Sequence, residues 1–339
     1  MKYRRVVISR RGGPEVLQVV EEELLEPGAG EVRVKIFATG VAFADMASRR
    51  GMYPTAPPIP FAPGYDIVGV VEGVGGGVSS LAEGQTVAAL LPHFGGYAEF
   101  ANVPENLLLP VPDGLDPAET VSVVLNYLTA HRLLHRSARV TRGERILVHG
   151  AAGGVGTALL QMGKEASLEM YGTASRDKHA LVSGLGATPI DHRGEDFIPR
   201  IRDLTGSGVD AVFDGIGGKN LTRSYRTLRR GGRLISFGFI GAFQRNKRVE
   251  VPLSIVRLFL LRIIPDGKKA LFYGDTPSFV EKDNAWYREA LAALLKMLAE
   301  GKIKPVVGER IPLVEAARAH KLMERASVSG KIVLICNEP

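Results

Sequence analysis

The sequence has almost no cysteine: one in 339 residues, Cys336. That excludes a disulfide framework within the chain and any zinc site built on CxxC pairs. It also lacks long apolar runs. The basic start, MKYRRVVISRRGG, is not followed by an apolar stretch of signal-peptide length. The most apolar segment, SIVRLFLLRII at residues 254–264, is too short to span a bilayer and carries two arginines, which points to a partly buried helix. No block of like charge stands out. Lys and Arg (43) exceed Asp and Glu (36) by 7, and they are spread along the chain. A basic balance can serve nucleic acid, a membrane surface or anionic small ligands; the even spread favours small ligands. The expectation is a cytoplasmic protein of a reducing compartment, with no membrane segment and no nucleic acid as its main partner. No internal repeat is present.

What the chain does have is apolar content and glycine. At 45% hydrophobic residues it can bury the cores of roughly two domains. Its 40 glycines imply many tight turns. Residues 1–123 hold short β-type runs broken by Gly and Pro, such as EVRVKIFATGV, DIVGVVEGVG and GQTVAALLP. YPTAPPIPFAPG is a Pro-rich loop. The texture turns helical at DPAETVSVVLNYLTAHRLLH, whose acidic start suits a helix N-terminus. Then strands alternate with helices: ILVHG, EMYGTA, ATPID, DAVFDGI, RLISFG and KALFYG read as strands, TALLQMGKEA and DKHALVSGLG as helices between them. This rhythm predicts a doubly wound parallel sheet. The tail adds an amphipathic helix, WYREALAALLKMLAEGKI, and a last strand, GKIVLI, expected to pack back on the first domain.

The stretch RILVHGAAGGVGT places Gly150, Gly153 and Gly156 at GxxGxxG spacing between a strand and a helix. Glycine lets the backbone turn sharply and approach a pyrophosphate, and the helix start offers unpaired N–H groups with about half a positive charge. Gly153, Gly154 and Val155 are the candidate pyrophosphate contacts. About 20 residues past such glycines, an Asp or Glu commonly holds a ribose 2′-hydroxyl. Here the residue is Ser175, followed by Arg176 and Lys178. A hydroxyl and cations suit a 2′-phosphate, so NADP(H) is favoured over NAD(H). The alternative reading of Arg176 and Lys178 is a solvated helix start with Asp177 as its favourable charge. In an open α/β sheet the ligand lies beyond the carboxyl ends of the strands. That places Gly215, Ile216 and Gly217 after the fourth strand, and Phe237, Gly238 and Phe239 after the fifth, where backbone groups can meet a nicotinamide carboxamide.

AAGGVG, GVAFAD…RRGMYP, PGYDIVG and SGKIVL occur in this order along essentially the whole chain. Together they resemble the medium-chain dehydrogenase/reductase superfamily, and within it the zinc-independent quinone oxidoreductase (zeta-crystallin-like) branch. The resemblance implies an α/β protein in two parts. A GroES-like β-rich catalytic domain is made of residues 1–123 and 275–339, and a Rossmann NADP(H)-binding domain, residues 124–274, is inserted between them. It also implies an active site in the cleft between the domains and a homodimer formed by pairing the last Rossmann strand, here KALFYG. Where zinc relatives carry Cys, His and Cys, this chain has Ala42, Tyr65 and Leu125. None is a zinc ligand, and the four-Cys structural loop is missing, so no metal is expected. Without a Lewis acid to stabilise an alkoxide, the expected reaction is hydride donation from NADPH to a quinone or an α,β-unsaturated carbonyl compound.

The resemblance also assigns residues. Many relatives have Asn at the position of Ala42, near the nicotinamide and the substrate oxygen; Ala42 removes that hydrogen-bond donor. His192 stands where relatives have a tyrosine that touches the 2′-phosphate. Tyr53 matches a pocket tyrosine able to donate to the substrate oxygen, or else packs on the Pro-rich loop. Phe43 and Tyr65 are expected pocket walls. Thr129 aligns with a threonine near the nicotinamide, and Arg325 with an arginine directed at the cofactor or held in a surface ion pair. Asp45 is read as structural, holding neighbouring backbone or Arg49. His93, His131, His135 and His149 are read as structural histidines. Two rival functions stay open: a zinc-type alcohol dehydrogenase relative, and a cofactor-binding protein with little catalysis that binds RNA or another partner.

Overall fold

The computed structural model describes residues 1–53, 55–244, 249–274 and 276–338. Residues 245–248, in the segment FIGAFQRNKR, and Asp275, at the expected domain boundary, lie outside the described residues. The chain divides into two compact units, residues 1–128 with 276–339, and residues 129–275.

The first unit opens with a hairpin, β1 (Lys2–Ile8) and β2 (Leu17–Glu23). Then come β3 (Glu31–Val41), α1 (Phe43–Arg49), β4 (Asp66–Val74), β5 (Thr86–Leu90), β6 (Phe100–Pro104) and β7 (Leu108–Pro110). The Pro-rich segment between α1 and β4 forms neither helix nor strand over its described residues. Asp116 caps α2 (Pro117–Ser122) through the Glu119 N–H, with proline at the first helical position. Beyond α2 the helix widens into π turns at Val123–Tyr127 and Arg132–Ala138, on either side of α3 (Leu128–His131).

The second unit runs β8 (Arg145–His149), α4 (Gly154–Glu165), β9 (Glu169–Ala174), α5 (His179–Gly184), β10 (Ala187–Asp191), α6 (Phe197–Thr205), β11 (Val209–Asp214), α7 (Asn220–Arg226), β12 (Leu228–Ser236), α8 (Ile240–Gln244), α9 (Glu250–Arg262) and β13 (Lys269–Phe272). Its six strands are parallel and ordered β10-β9-β8-β11-β12-β13. Strand order reverses between β8 and β11, the place where such sheets open a crevice. Leu147, Val212 and Leu234 on the strands pack with Phe197 and Ile201 of α6 and with Leu258 and Leu261 of α9 into one apolar core. This is the doubly wound sheet that the strand–helix rhythm predicts. SIVRLFLLRII is indeed a partly buried helix, α9: Ser254, Leu258 and Leu261 face inward.

The chain then returns to the first unit with α10 (Pro277–Lys282), α11 (Asn284–Ala299), β14 (Val307–Pro312), α12 (Ala316–Glu324) and β15 (Lys331–Ile335). The seven-stranded sheet has the order β14-β15-β3-β4-β5-β7. β3 is its hub: β4 lies on one edge, while the other is shared by β6 against Glu31–Lys35 and by β15 against Ala38–Val41.

Candidate functional site

At the switch point of the second unit, Gly150 takes φ +68°, where a Cβ would be strained, and Gly153 N–H closes the turn on the Gly150 carbonyl at 2.9 Å. A Cβ on Gly156 would fall against the Gly150 carbonyl oxygen and within 2.8 Å of Ala151 Cα. Only glycine lets α4 start this close to the turn. Among the described residues no side chain caps that start, so the first-turn N–H groups are available to a ligand. Gly153, Gly154 and Val155 are partly exposed between buried neighbours.

The fourth and fifth strands end beside this turn. Asp214 Oδ1 accepts from Ile216 N–H (2.8 Å) and Gly217 N–H (3.0 Å), folding the chain back after β11. Ile240 N–H and Gly241 N–H donate to the Gly215 and Ile216 carbonyls, and the Phe237 ring covers Gly215. Gly215, Ile216, Gly217, Phe237, Gly238 and Phe239 thus come together at one end of the sheet. Phe239 stacks on Phe272 with ring centroids 5.6 Å apart.

Ser175, Arg176 and Lys178 follow β9, and His192 follows β10. His192 N–H reaches the Ala174 carbonyl at 3.3 Å, so the two strand ends are neighbours. Burial lowers the Lys178 pKa. The Ser175 hydroxyl donates to the Asp177 carboxylate, which with its own backbone contact and nearby cations holds Asp177 below the usual carboxylate range. One of those cations is Arg193, which the sequence reading did not single out; its N–H donates to Asp191 Oδ1 at 3.0 Å. The strand ends therefore carry Arg176, Lys178, His192 and Arg193 against Asp177 and Asp191. Thr129 is buried in α3, between the two π turns.

In the first unit, Tyr53 and Tyr65 are brought together, and Phe94 joins them. The ring centroids lie 6.4 Å apart for Tyr53–Tyr65, 6.1 Å for Tyr53–Phe94 and 4.1 Å for Tyr65–Phe94. Phe94 sits at φ +66°, and the sequence carried no signal for its place in this cluster. Ala42 and Phe43 form the head of α1. Asp45 ties that head to Gly64, the neighbour of Tyr65: its carboxylate accepts from Ala42 N–H at 2.7 Å and Gly64 N–H at 2.9 Å. It also accepts from the Tyr97 hydroxyl at 3.3 Å. Burial pushes its pKa up to about 7, partly offset by the two backbone hydrogen bonds. Asp45 holds backbone and Tyr97, not Arg49. The Arg49 guanidinium donates to Gly12 O, to His320 Nδ1 at 3.3 Å and to Glu324. His320 Nε2 meets the Tyr97 hydroxyl at 3.1 Å. Arg325 follows Glu324 and is exposed.

Beside Tyr65, Asp66 is 0% exposed and faces Lys331, 3% exposed, with Nζ 2.7 Å from Oδ2. The approach is off the hydrogen-bond direction, so among the described residues neither group has a directed hydrogen bond. Gly40 makes room for the pair; a Cβ there would meet Asp66 Oδ2 and Lys331 Nζ at 2.5 Å. His93 is exposed and pairs with Glu281 at 2.8 Å. The His131 and His135 rings meet at a tilt, with centroids 4.8 Å apart.

Two family models match this chain. The one described as alcohol dehydrogenase GroES-like domain covers residues 28–113, and the one described as zinc-binding dehydrogenase covers residues 185–334. The quinone oxidoreductase of Rattus norvegicus is 32% identical over 337 residues, spanning 98% of this chain and 97% of its own length. This chain belongs to the quinone oxidoreductase-type medium-chain dehydrogenase/reductases. The chain is also similar to the synaptic vesicle membrane protein VAT-1 homolog of Homo sapiens, 31% identical over 319 residues, 91% of this chain and 80% of the relative. Among solved structures, the Escherichia coli quinone oxidoreductase complexed with NADPH superposes with TM-score 0.87 at 29% identity, over 98% of this chain and 99% of that one. The GroES-like and Rossmann parts expected from the sequence are those of this family.

Proposed function

We propose that the protein is an NADPH-dependent reductase that delivers hydride, without a metal ion, to a quinone or an α,β-unsaturated carbonyl compound. The observation that carries this reading is the uncapped glycine-turn start of α4 set in the same sheet as a cationic rim, with Ser175 in place of a carboxylate after β9. The NADPH complex of the Escherichia coli relative supports it.

When bound, the coenzyme supplies a hydride from its nicotinamide ring; the protein contributes binding, orientation and electrostatics. Gly153, Gly154 and Val155 offer N–H groups to the pyrophosphate. Arg176, Lys178 and His192 hold the 2′-phosphate. Thr129, Arg325 and the backbone of Gly215, Ile216, Phe237, Gly238 and Phe239 position the rest. Residues 124–274 serve as the coenzyme domain, residues 1–123 and 275–339 as the catalytic domain. Tyr53 donates its phenol proton toward the acceptor oxygen as negative charge grows there. Phe43 and Tyr65 wall the pocket, and Ala42 leaves room for the acceptor. Ala42, Tyr65 and Leu125 supply no metal ligand, and among the described residues no cluster of three His, Cys, Asp or Glu side chains could hold an ion. The enzyme works in the cytoplasm in this reading, and no helix of the described residues is long and apolar enough to cross a membrane.

The test is titration of the purified protein with NADPH and NADH. NADPH binds at least about tenfold more tightly, a difference of ~1.4 kcal/mol, and Lys178→Glu erases the preference. Equal affinities in the unmodified protein refute the 2′-phosphate assignment.

A homodimer completes the proposal. β13 is the edge strand of its sheet, and Phe272 on it is 54% exposed. The adjoining α9 turns Leu253, Val256, Phe259 and Leu260 outward, each more than half exposed. Exposed apolar side chains beside a strand edge that has no partner among the described residues make a surface that monomers avoid. A second copy pairing β13 about a two-fold axis covers both features at once.

A further inference from the structure

The second unit contains a buried line of polar side chains that touches two of the turns assigned to the coenzyme. It begins at the glycine turn, where Gly150 N–H points to Thr173 Oγ1 at 3.4 Å and Ala151 N–H donates to the Thr173 carbonyl at 3.0 Å. Thr173 Oγ1 meets His149 Nδ1 at 3.0 Å. His149 Nε2 meets Ser224 Oγ at 3.0 Å. The Ser224 hydroxyl donates to Asp214 Oδ2 at 2.7 Å, and Asn220 Nδ2 donates to the same oxygen at 3.0 Å. The other Asp214 oxygen holds the N–H groups of Ile216 and Gly217. Thr173, His149, Ser224 and Asp214 are all buried.

Hydrogen-bond capacity fixes the direction of this line. Asp214 Oδ2 takes the single Ser224 proton at 2.7 Å. Ser224 Oγ then accepts from His149 Nε2–H. A neutral imidazole with its proton on Nε2 leaves Nδ1 as an acceptor, which takes the Thr173 hydroxyl proton. Thr173 Oγ1 is left to accept from Gly150. Asn220 Nδ2 also reaches Ser224 Oγ at 3.4 Å, which the second lone pair of that oxygen can accept, so the line runs without conflict. Burial of His149 favours the neutral ring this requires, reinforced by the nearby Arg223 and opposed by Asp214. The Phe197 ring fences it on one side, with ring centroids 4.7 Å apart, and the Arg223 guanidinium lies over that ring at 4.5 Å.

We propose that Thr173, His149, Ser224 and Asp214 are positioning residues for the coenzyme: one hydrogen-bonded line sets the glycine turn after β8 and the Asp214–Gly217 turn after β11 relative to each other. None of the four side chains need touch the ligand. The line fixes the spacing between the turn that faces the pyrophosphate and the turn that faces the nicotinamide end. This rests on the coenzyme reading above. It adds that affinity depends on a buried line which ordinary fold stability does not require to run this way.

The experiment compares Thr173→Val, Thr173→Ser and Ser224→Ala with the unmodified protein. Dissociation constants for NADPH and NADH, thermal stability, and kcat and KM with a quinone acceptor are measured. Thr173→Val keeps the shape and removes the hydroxyl; Ser224→Ala cuts the line at its centre. Each is expected to weaken NADPH and NADH by the same factor, about tenfold, leaving kcat within about twofold and the NADPH:NADH ratio unchanged. Thr173→Ser is expected to restore binding to within about twofold. A merely structural role lowers thermal stability and leaves the dissociation constants of the folded protein alone, and that result overturns the proposal. If Ser224→Ala does not fold, the Thr173 pair decides on its own, because valine and serine differ in whether the hydroxyl is present. Should the unmodified protein bind neither coenzyme, the coenzyme reading falls. Should it bind NADPH while both Thr173 variants match it, only the positioning line falls.

Discussion

Replacing Lys331 by methionine removes the only charged group shown at ion-pair distance from Asp66 and keeps the volume of the stem. The pair is closed to solvent at both ends, 2.7 Å apart, with no directed hydrogen bond to either group among the described residues. Removing one member of such a pair leaves a buried charge uncompensated, at a cost of about 3–5 kcal/mol. At roughly 2–4 °C per kcal/mol for a large domain, Lys331→Met lowers the midpoint of thermal unfolding by about 10 °C. Replacing both partners behaves differently, because two apolar side chains of similar volume need no counter-charge. Lys331→Met with Asp66→Leu recovers at least about 2 kcal/mol of the loss. Urea unfolding of the four proteins, followed by a signal from the first unit, gives the cycle directly. If Lys331→Met lies within ~1 kcal/mol of the unmodified protein, or if the two single costs simply add, the pair is not a desolvated ion pair and the reasoning fails.

Gly156→Ala drives a Cβ into the Gly150 carbonyl and Ala151; it costs about 1–3 kcal/mol of stability and abolishes measurable NADPH binding, as fluorescence titration shows. His320 is held neutral by burial and by Arg49, its pKa pulled down to about 3. Its contribution to stability is therefore present above pH 6.5 and fades as the pH falls toward 3, by up to ~1.4 kcal/mol per pH unit. The cost of His320→Gln in urea should shrink as pH drops from 6.5 to 4.5, and a cost that is independent of pH counts against a neutral buried imidazole. Asp45 has the opposite slope: its raised pKa favours the fold below pH 3.8, an advantage lost as pH rises to about 7, so Asp45→Asn costs less at pH 7 than at pH 4. Tyr53→Phe lowers kcat for enone or quinone reduction by about tenfold or more with little change in coenzyme affinity; an unchanged kcat assigns Tyr53 to packing with Phe94 and Tyr65 alone. Phe272→Arg shifts light-scattering mass from dimer to monomer, and an unchanged mass removes β13 from the interface.

Local features of the sequence carried much of this. The glycine spacing, the strand–helix rhythm and the strand ATPID were legible because each is decided by residues a few positions apart. Family likeness supplied the places of Ala42, Tyr53 and Tyr65. What stayed hidden depends on distant partners. Nothing near Lys331 announces Asp66, and nothing near Phe94 announces Tyr53. His149 reads as a structural histidine from its lack of metal-like spacing, and its neighbours Thr173 and Ser224 arrive from β9 and α7. His93 reads as a structural histidine, but nothing near it announces Glu281, its partner at the surface. Asp45 was legible as structural, while its true partners, Gly64 and Tyr97, lie outside any local pattern.

The route of the chain through the first sheet has a consequence for biosynthesis. Residues 129–275 are contiguous and can collapse as soon as they leave the ribosome. Among the described residues, Ala38–Val41 have no strand partner on one edge of β3 until residues 332–335 emerge. A nascent or truncated polypeptide ending before Lys331 therefore displays a bare hydrogen-bonding rim along its hub strand, a template for misassociation that chaperones must shield. Premature termination late in the gene is thus expected to yield aggregates, not a soluble half-enzyme.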